Sequence, residues 1–158
     1  MANKHDKLTR RAFLAATTST AALTVAGCKT NTARVTPGKR SPNALVNCAG
    51  IGVGGKGLHD IMNCRRENVV ALCDVDERRA EEARYNLPDA RYYSDYRKML
   101  EELGGEIEAV TISTPDHTHA PAAYMAMEMG MHVYVQKPLT HTVAEARLLT
   151  DTARRTGV

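Results

Sequence analysis

Residues 44–57 read ALVNCAGIGVGGKG, an apolar run that ends in a glycine-rich turn with the spacing GxGxxG. A second apolar run, residues 69–73, follows and ends in Asp74. A strand that leads through such a turn into a helix, with an acidic residue about 20 positions on, is the layout of a dinucleotide-binding βαβ unit. The stretch therefore predicts a parallel α/β sheet that holds a dinucleotide at the turn.

Each residue of this pattern has a predicted task. Gly52 permits the tight turn out of the strand, Gly54 lets the backbone approach a pyrophosphate, and Gly57 lets the helix pack close to the sheet. The free N–H groups at the start of the helix then favour the phosphates. Asp74 would accept hydrogen bonds from ribose hydroxyls and repel a 2′-phosphate, so we expect NAD as the cofactor in preference to NADP.

The same stretch leaves alternatives. Gly50, Gly52 and Gly55 also fit the spacing, but the later register leaves a full strand before the turn. A glycine-rich turn can also join a strand to a helix for steric reasons alone. Arg78 and Arg79 could receive a 2′-phosphate, although we expect both on a solvated helix face.

The first 40 residues differ in charge from the rest of the chain. They hold eight Lys or Arg and one acidic residue, a net charge of +7, whereas the remainder holds 13 basic and 17 acidic residues, a net charge of −4. Binding of nucleic acid needs a basic patch on the folded domain. The sequence therefore gives no support to a nucleic-acid-binding function.

The basic leader resembles an export signal. Residues 9–14, TRRAFL, place adjacent arginines before a weakly apolar stretch, as in twin-arginine signals read by that export machinery. The run is too short and too polar to span a bilayer, and an amphipathic or buried helix is the alternative. Residues 25–28, VAGC, resemble a bacterial lipobox that would place a lipid anchor on Cys28; a plain small-residue cleavage site is the alternative.

These features predict three segments and an exported protein of the periplasm or cell envelope. Residues 1–28 are the expected signal peptide. Residues 29–43 are polar, contain Pro and Gly and read as a flexible tether. Residues 44–158 are the expected folded domain.

The folded part alternates short apolar runs with helical patterns. Continuous apolar strands are typical of parallel sheets buried on both faces, and the alternation predicts a doubly wound α/β (Rossmann) fold. The expected strands are 44–51, 69–73, 92–93, 108–113 and 132–136; the expected helices are 58–64, 76–85, 95–104, 117–130 and 142–156.

The cysteines lack the spacing of a metal site, and no metal is expected. Cys48 and Cys73 fall in strands and Cys64 ends the first helix, so we interpret them as buried thiols. A disulfide between Cys48 and Cys73 on neighbouring strands is the alternative.

Two further segments follow predicted strands, residues 113–119, STPDHTH, and residues 135–139, VQKPL. Ligands of open α/β sheets bind at the carboxyl ends of the strands. Together with IGVGGKG, these segments resemble the Gfo/Idh/MocA family of NAD(P)-dependent oxidoreductases over residues 44–158. The resemblance implies hydride exchange between a nicotinamide and a sugar or cyclitol hydroxyl.

The resemblance also implies roles for single residues. Ser113, Pro115 and His119 match the segment that passes beside the cofactor, and Lys137 matches the lysine that reaches the nicotinamide ribose and the substrate. A hydroxyl that gives up a hydride must also lose a proton, so a positioned lysine can polarise its oxygen or join a proton relay. The alternatives are an exposed surface charge for Lys137, and helix capping or solvent exposure for His119 and His117.

The chain departs from the family pattern in two ways. Gln136 stands where the family usually has a glutamate, so a negative neighbour of Lys137 is absent. The chain also ends before the second domain, a mostly antiparallel sheet that supplies the substrate site and the oligomer interface of family members. We therefore expect a fragment of a longer protein that forms a homo-oligomer at full length.

Three functions follow. The first is an exported NAD-dependent oxidoreductase of sugar derivatives. The second is a redox-neutral glycoside hydrolase that keeps NAD bound and returns the hydride. The third is a nucleotide- or sugar-binding module without catalysis, suggested by Gln136 and by the length of the chain.

Overall fold

The computed structural model describes residue 41 and residues 43–158. The predicted signal peptide, the site of the lipid anchor at Cys28 and nearly all of the tether lie outside the described residues. Within the described part, no helix has both the length and the apolar character needed to cross a membrane.

The described residues form one sheet of five parallel strands in the order β3-β2-β1-β4-β5. The strands are β1 (Asn47–Ile51), β2 (Asn68–Cys73), β3 (Arg91–Tyr93), β4 (Ala109–Ile112) and β5 (His132–Val135). The chain runs outward from β1 to β3 and then crosses back to β4 on the other side of β1. This reversal is the switch point at which doubly wound sheets bind ligands. The predicted α/β Rossmann fold is confirmed.

Helices cover both faces of the sheet. They are α1 (Lys56–Asn63), α2 (Glu77–Asn86), α3 (Tyr96–Leu103), α4 (His119–Glu128) and α5 (Val143–Thr156), with a short 3-10 helix at Asp116–Thr118 before α4. The helix predicted from residue 117 therefore begins as α-helix only at His119. Pro121 has no N–H to bond to the carbonyl of His117, so a regular helix cannot extend back through that residue.

Side chains of β1 alternate between two buried clusters. Ala49 and Ile51 belong to the larger cluster, which also contains residues of α3, α4 and α5. On the opposite face, a Cβ added at Gly50 would lie 3.2 Å from Ile61 of α1. The smaller cluster lies on this face and contains Val53, Ile61, Leu72, Ala80 and Ala83. Because the faces are covered, ligands have access at the carboxyl edge of the strands.

The strand register separates two of the cysteines. Cys48 lies opposite Val69, whereas Cys73 lies opposite Ile51 at the other end of the same strand pair. The alternative of a Cys48–Cys73 disulfide is therefore wrong, and the cysteines in the described part are free thiols. Burial, with a contribution from the nearby Cys64, raises the pKa of Cys48 to about 11, and burial raises that of Cys73 to about 12.

Candidate functional site

The carboxyl ends of β1 and β2 and the loops that follow β1 to β4 enclose a cleft of about 470 Å³. Its lining includes five of the residues predicted from the sequence: Gly52, Gly54, Asp74, Ser113 and Pro115. Three others, Gly57, His119 and Lys137, lie outside the lining.

Two glycines of the turn, Gly52 and Gly57, occupy positions where a side chain would clash. Gly52 has a φ of +76°, and a Cβ there would lie 2.8 Å from the backbone nitrogen of Thr114. A Cβ at Gly57 would lie 1.7 Å from the carbonyl oxygen of Gly52. At Gly55, by contrast, an added Cβ would meet no atom of the described residues within 4 Å. The close approach of helix to turn therefore occurs at Gly57, as in the later of the two glycine registers.

Gly54 approaches a different neighbour. A Cβ at Gly54 would lie 2.8 Å from the Cβ of Arg79 in α2. Its lack of a side chain thus lets α2 pack against the turn, and the approach of its backbone to a pyrophosphate stays a prediction.

The start of α1 is suited to an anion. None of the described side chains caps this helix, and its first turn contains no acidic residue. The neighbouring helices differ, because Asp76 caps α2 and Asp95 caps α3. The first N–H groups of a helix lack partners within it and carry a partial positive charge. Beside the cleft, these groups fit a pyrophosphate.

Asp74 ties the glycine turn to the loop after β2. Its Oδ2 accepts hydrogen bonds from the backbone N–H groups of Val53 at 3.0 Å and Gly54 at 3.2 Å. Its Oδ1 accepts one from the N–H of Asp76 at 3.0 Å. A carboxylate offers about four acceptor positions, which leaves room for a ribose hydroxyl.

The two arginines after Asp74 have different surroundings. Arg78 bonds to Asp76 through its Nε at 3.3 Å and is exposed on α2, as expected. Arg79 is also exposed, as expected, and it lines the cleft as well. It reaches the cleft because the bare backbone of Gly54 lets α2 approach the turn at Arg79. The cleft thus contains a guanidinium that could meet a 2′-phosphate as well as a carboxylate that would repel one.

His119 joins the loops that follow β4 and β5. Its ring is 1% exposed, with Nδ1 2.9 Å from the carbonyl oxygen of Pro138 and Nε2 2.7 Å from that of Thr114. Both carbonyl oxygens are acceptors, and a neutral imidazole donates through one ring nitrogen, so the tautomer decides which of the two accepts the hydrogen bond. Contact of His119 with a cofactor stays a prediction. Lys137 is exposed on the second of these loops, and its catalytic role likewise stays a prediction.

One residue of the loop after β4 has a group left for a ligand. Thr114 lines the cleft. Among the described residues, its hydroxyl is the buried side-chain polar group without a hydrogen-bond partner. Buried hydroxyls are normally bonded, so this group fits a site that a polar ligand completes.

Asp60, a carboxylate of α1 that is 7% exposed, is not among the site residues predicted from the sequence. The signal was its position, three residues after Gly57 and beside Ile61, which places it on the buried side of the helix. Burial alone would raise the pKa of this carboxyl, but hydrogen bonds from Lys56, Ser113 and Gln136 outweigh burial and lower it. Asp60 is therefore ionised at neutral pH.

Known proteins resemble the chain over this domain. The family model GFO_IDH_MocA, described as "Oxidoreductase family, NAD-binding Rossmann fold", matches residues 46–158. A "Glycosyl hydrolase family 109 protein" of a Shewanella species is 37% identical over 124 residues, which cover 71% of this chain and 27% of the relative. The chain thus spans about a quarter of the length of that relative.

Solved structures agree with the family match. An NAD binding oxidoreductase from Klebsiella pneumoniae is 31% identical with a TM-score of 0.63, over 73% of this chain and 33% of that one. UDP-N-acetylglucosamine 3-dehydrogenase from Acidithiobacillus ferrooxidans is 29% identical with a TM-score of 0.61, over 71% and 34%. Because the family model covers the whole described sheet, the chain belongs to the Gfo/Idh/MocA family of oxidoreductases and forms its NAD-binding Rossmann domain.

Proposed function

We propose that the protein exchanges a hydride between a nicotinamide cofactor and a hydroxyl of a sugar or cyclitol derivative, and that this chain holds the cofactor. The observation that carries the proposal is the cleft at the carboxyl edge, where the glycine turn that leads into the uncapped start of α1 meets Asp74 and the loop of Ser113 and Pro115. The similar dehydrogenase of UDP-N-acetylglucosamine supports a sugar derivative as substrate.

The residues of the chain have distinct tasks in this proposal. The N–H groups at the start of α1 bind the pyrophosphate, and the carboxylate of Asp74 accepts a hydrogen bond from a ribose hydroxyl. When bound, the nicotinamide supplies an acceptor and donor of hydride. Lys137, on the loop after β5, takes or returns the proton of the substrate hydroxyl.

NAD is the proposed form of the cofactor, because Asp74 stands beside the glycine turn. The test is a calorimetric titration of NAD and NADP, separately, into the purified protein, into Asp74→Ala and into Arg79→Ala. We expect tighter binding of NAD by the unchanged protein and a loss of that preference in Asp74→Ala. The matched control is Asp89→Ala, which removes an exposed carboxylate elsewhere. A folded protein that binds neither nucleotide would contradict the proposal.

A redox-neutral glycoside hydrolase is the second candidate, favoured by relatives named for glycosyl hydrolase family 109. Two assays distinguish the two activities. A hydrolase releases the aryl group from aryl glycosides with no NAD added, whereas an oxidoreductase accumulates NADH with a free sugar. Binding of NAD without either activity would leave the third hypothesis, a binding module.

Export is proposed from the sequence alone. Adjacent Arg10 and Arg11 are the proposed recognition element for the twin-arginine machinery, and Cys28 the proposed lipidation site. Lysine substitution of both arginines is expected to retain the protein in the cytoplasm. Cys28→Ser is expected to abolish labelling by a fatty-acid probe without blocking export.

A further inference from the structure

Asp60 joins three segments that surround the candidate site. Its Oδ1 accepts a hydrogen bond from Nζ of Lys56 at 2.5 Å, and Lys56 lies one turn earlier on α1. Its Oδ2 accepts from Ser113 Oγ at 2.8 Å and from Gln136 Nε2 at 2.8 Å. Ser113 follows β4 and Gln136 follows β5, so one buried carboxylate connects α1 to both loops.

The amide of Gln136 has a defined orientation. Its Nε2 donates to Asp60, and its Oε1 accepts from the backbone N–H of Lys137 at 3.2 Å. The backbone of Gln136 also donates to the carbonyl of Ile112, which extends the pairing of β5 with β4. The position of Lys137 along the edge therefore depends on a chain of bonds that starts at Asp60.

A carboxylate at position 60 determines which side chain can stand at position 136. A glutamate there would have no N–H to donate, and its oxygens would face Oδ2 of Asp60 at hydrogen-bond distance. Two carboxylates that close cannot both ionise without strong repulsion. The glutamine at position 136 is thus matched to the carboxylate of Asp60.

We propose that Asp60 is a positioning residue that sets the loops of Ser113 and Lys137 relative to α1, and that this role requires glutamine at position 136. The inference rests on the proposed function for its consequence, cofactor binding. Its structural part stands on the contacts of the cofactor-free protein.

The experiment exchanges the carboxylate of position 60 and the amide of position 136. Gln136→Glu, Asp60→Asn and the double variant are compared with the unchanged protein by calorimetric titration of NAD. Hydrogen exchange of the backbone amides of Gln136, Lys137 and Leu139 is measured without cofactor. We expect Gln136→Glu to weaken NAD binding about tenfold and to speed exchange, because two carboxylates face each other. The double variant restores one amide and one carboxylate, and we expect its affinity within about threefold of the original.

A control and a second variant separate charge from folding. Leu139→Glu adds the same charge at a half-exposed position of the same loop and is expected to leave exchange at residues 136–137 unchanged. If Gln136→Glu does not fold, Gln136→Met removes the amide without a charge; we then expect faster exchange that Asp60→Asn does not rescue.

Two outcomes would overturn the inference: a Gln136→Glu variant that behaves as the original protein, or a double variant as impaired as the two single effects combined. If even the unchanged protein binds no NAD, the proposed function fails. The exchange data would then still decide the role of Asp60.

Discussion

The glycine turn and the paired loops after β4 and β5 lie at the same edge of the sheet, but different contacts hold them. In the turn, backbone packs on backbone at Gly57, and Asp74 bonds to the N–H groups of Val53 and Gly54. The paired loops are held by two buried side chains from other elements, Asp60 and His119.

This difference is reflected in the two motifs, because the motif of the turn consists of glycines and that of the paired loops of side chains. Where backbone approaches backbone, only glycine fits, so the sequence has little freedom. Where a side chain joins two loops, any residue that reaches both and bonds to them can serve. In the second region, the roles of the joining side chains are therefore evident only from their positions in the folded chain.

The largest expected effect comes from a substitution that disrupts the glycine turn. Gly57→Ala places a Cβ 1.7 Å from the carbonyl oxygen of Gly52, a clash with backbone that no rotamer relieves. We expect a loss of about 3 kcal/mol in the free energy of unfolding, measured by urea denaturation. Gly105→Ala is the control, because a Cβ there meets no described atom within 4 Å, and it should change stability by about 0.5 kcal/mol or less. Equal losses in the two variants would contradict the steric account.

Substitution of His119 tests the connection between the paired loops. Leucine at this position leaves the carbonyls of Thr114 and Pro138 without their present partner, which we expect to cost about 2 kcal/mol of unfolding free energy. Hydrogen exchange should quicken in both loops. His117→Leu, whose imidazole is 65% exposed, serves as the comparison and should change little. A role confined to cofactor contact would instead leave the stability of the cofactor-free protein unchanged.

Substitutions at Asp74 and Asp76 test whether the side chain of Asp74 holds the glycine turn. Asp74→Asn keeps one acceptor oxygen where the carboxylate receives three backbone N–H groups. We expect about 1 kcal/mol lower stability and about tenfold weaker NAD binding. Asp76→Asn preserves the cap of α2, because asparagine caps helices as well as aspartate, and stability should stay within about 0.5 kcal/mol. Similar losses in both variants would argue against the bonds of Asp74 to the turn.

The smallest expected effect is a change in the free energy of unfolding at low pH. The pKa of Asp60 is lowered in the folded protein, so its bonds contribute fully above the unfolded value of about 3.9 and are lost as pH falls through the folded pKa. The stability difference between the original protein and Asp60→Asn should therefore narrow below about pH 4. Denaturation in urea from pH 7 to pH 3 measures it, and a constant difference would contradict the assignment.

The sequence predicted the folded elements closely but not their connections. The runs around Val110 and Val133 read correctly as parallel strands, because apolar pattern and strand length are local properties. Of the two, β4 is buried, whereas β5 lies at the edge of the sheet and is partly exposed. The helix near His117 was placed too early, since Pro121 acts through a hydrogen bond four residues back. The predicted alternative for Cys48 and Cys73 failed because adjacency of strands does not give their register.

The sequence by itself determined the doubly wound sheet and the glycine turn. Hydrophobic alternation and the steric demands at Gly52 and Gly57 act over a few residues and can be read in order. Only the tertiary structure decided which side chains hold the loops. Ser113 and Gln136 lie 53 and 76 residues from Asp60 in the chain. They meet it because the strand order places β4 beside β1 and β5 beside β4, a consequence of packing the whole sheet.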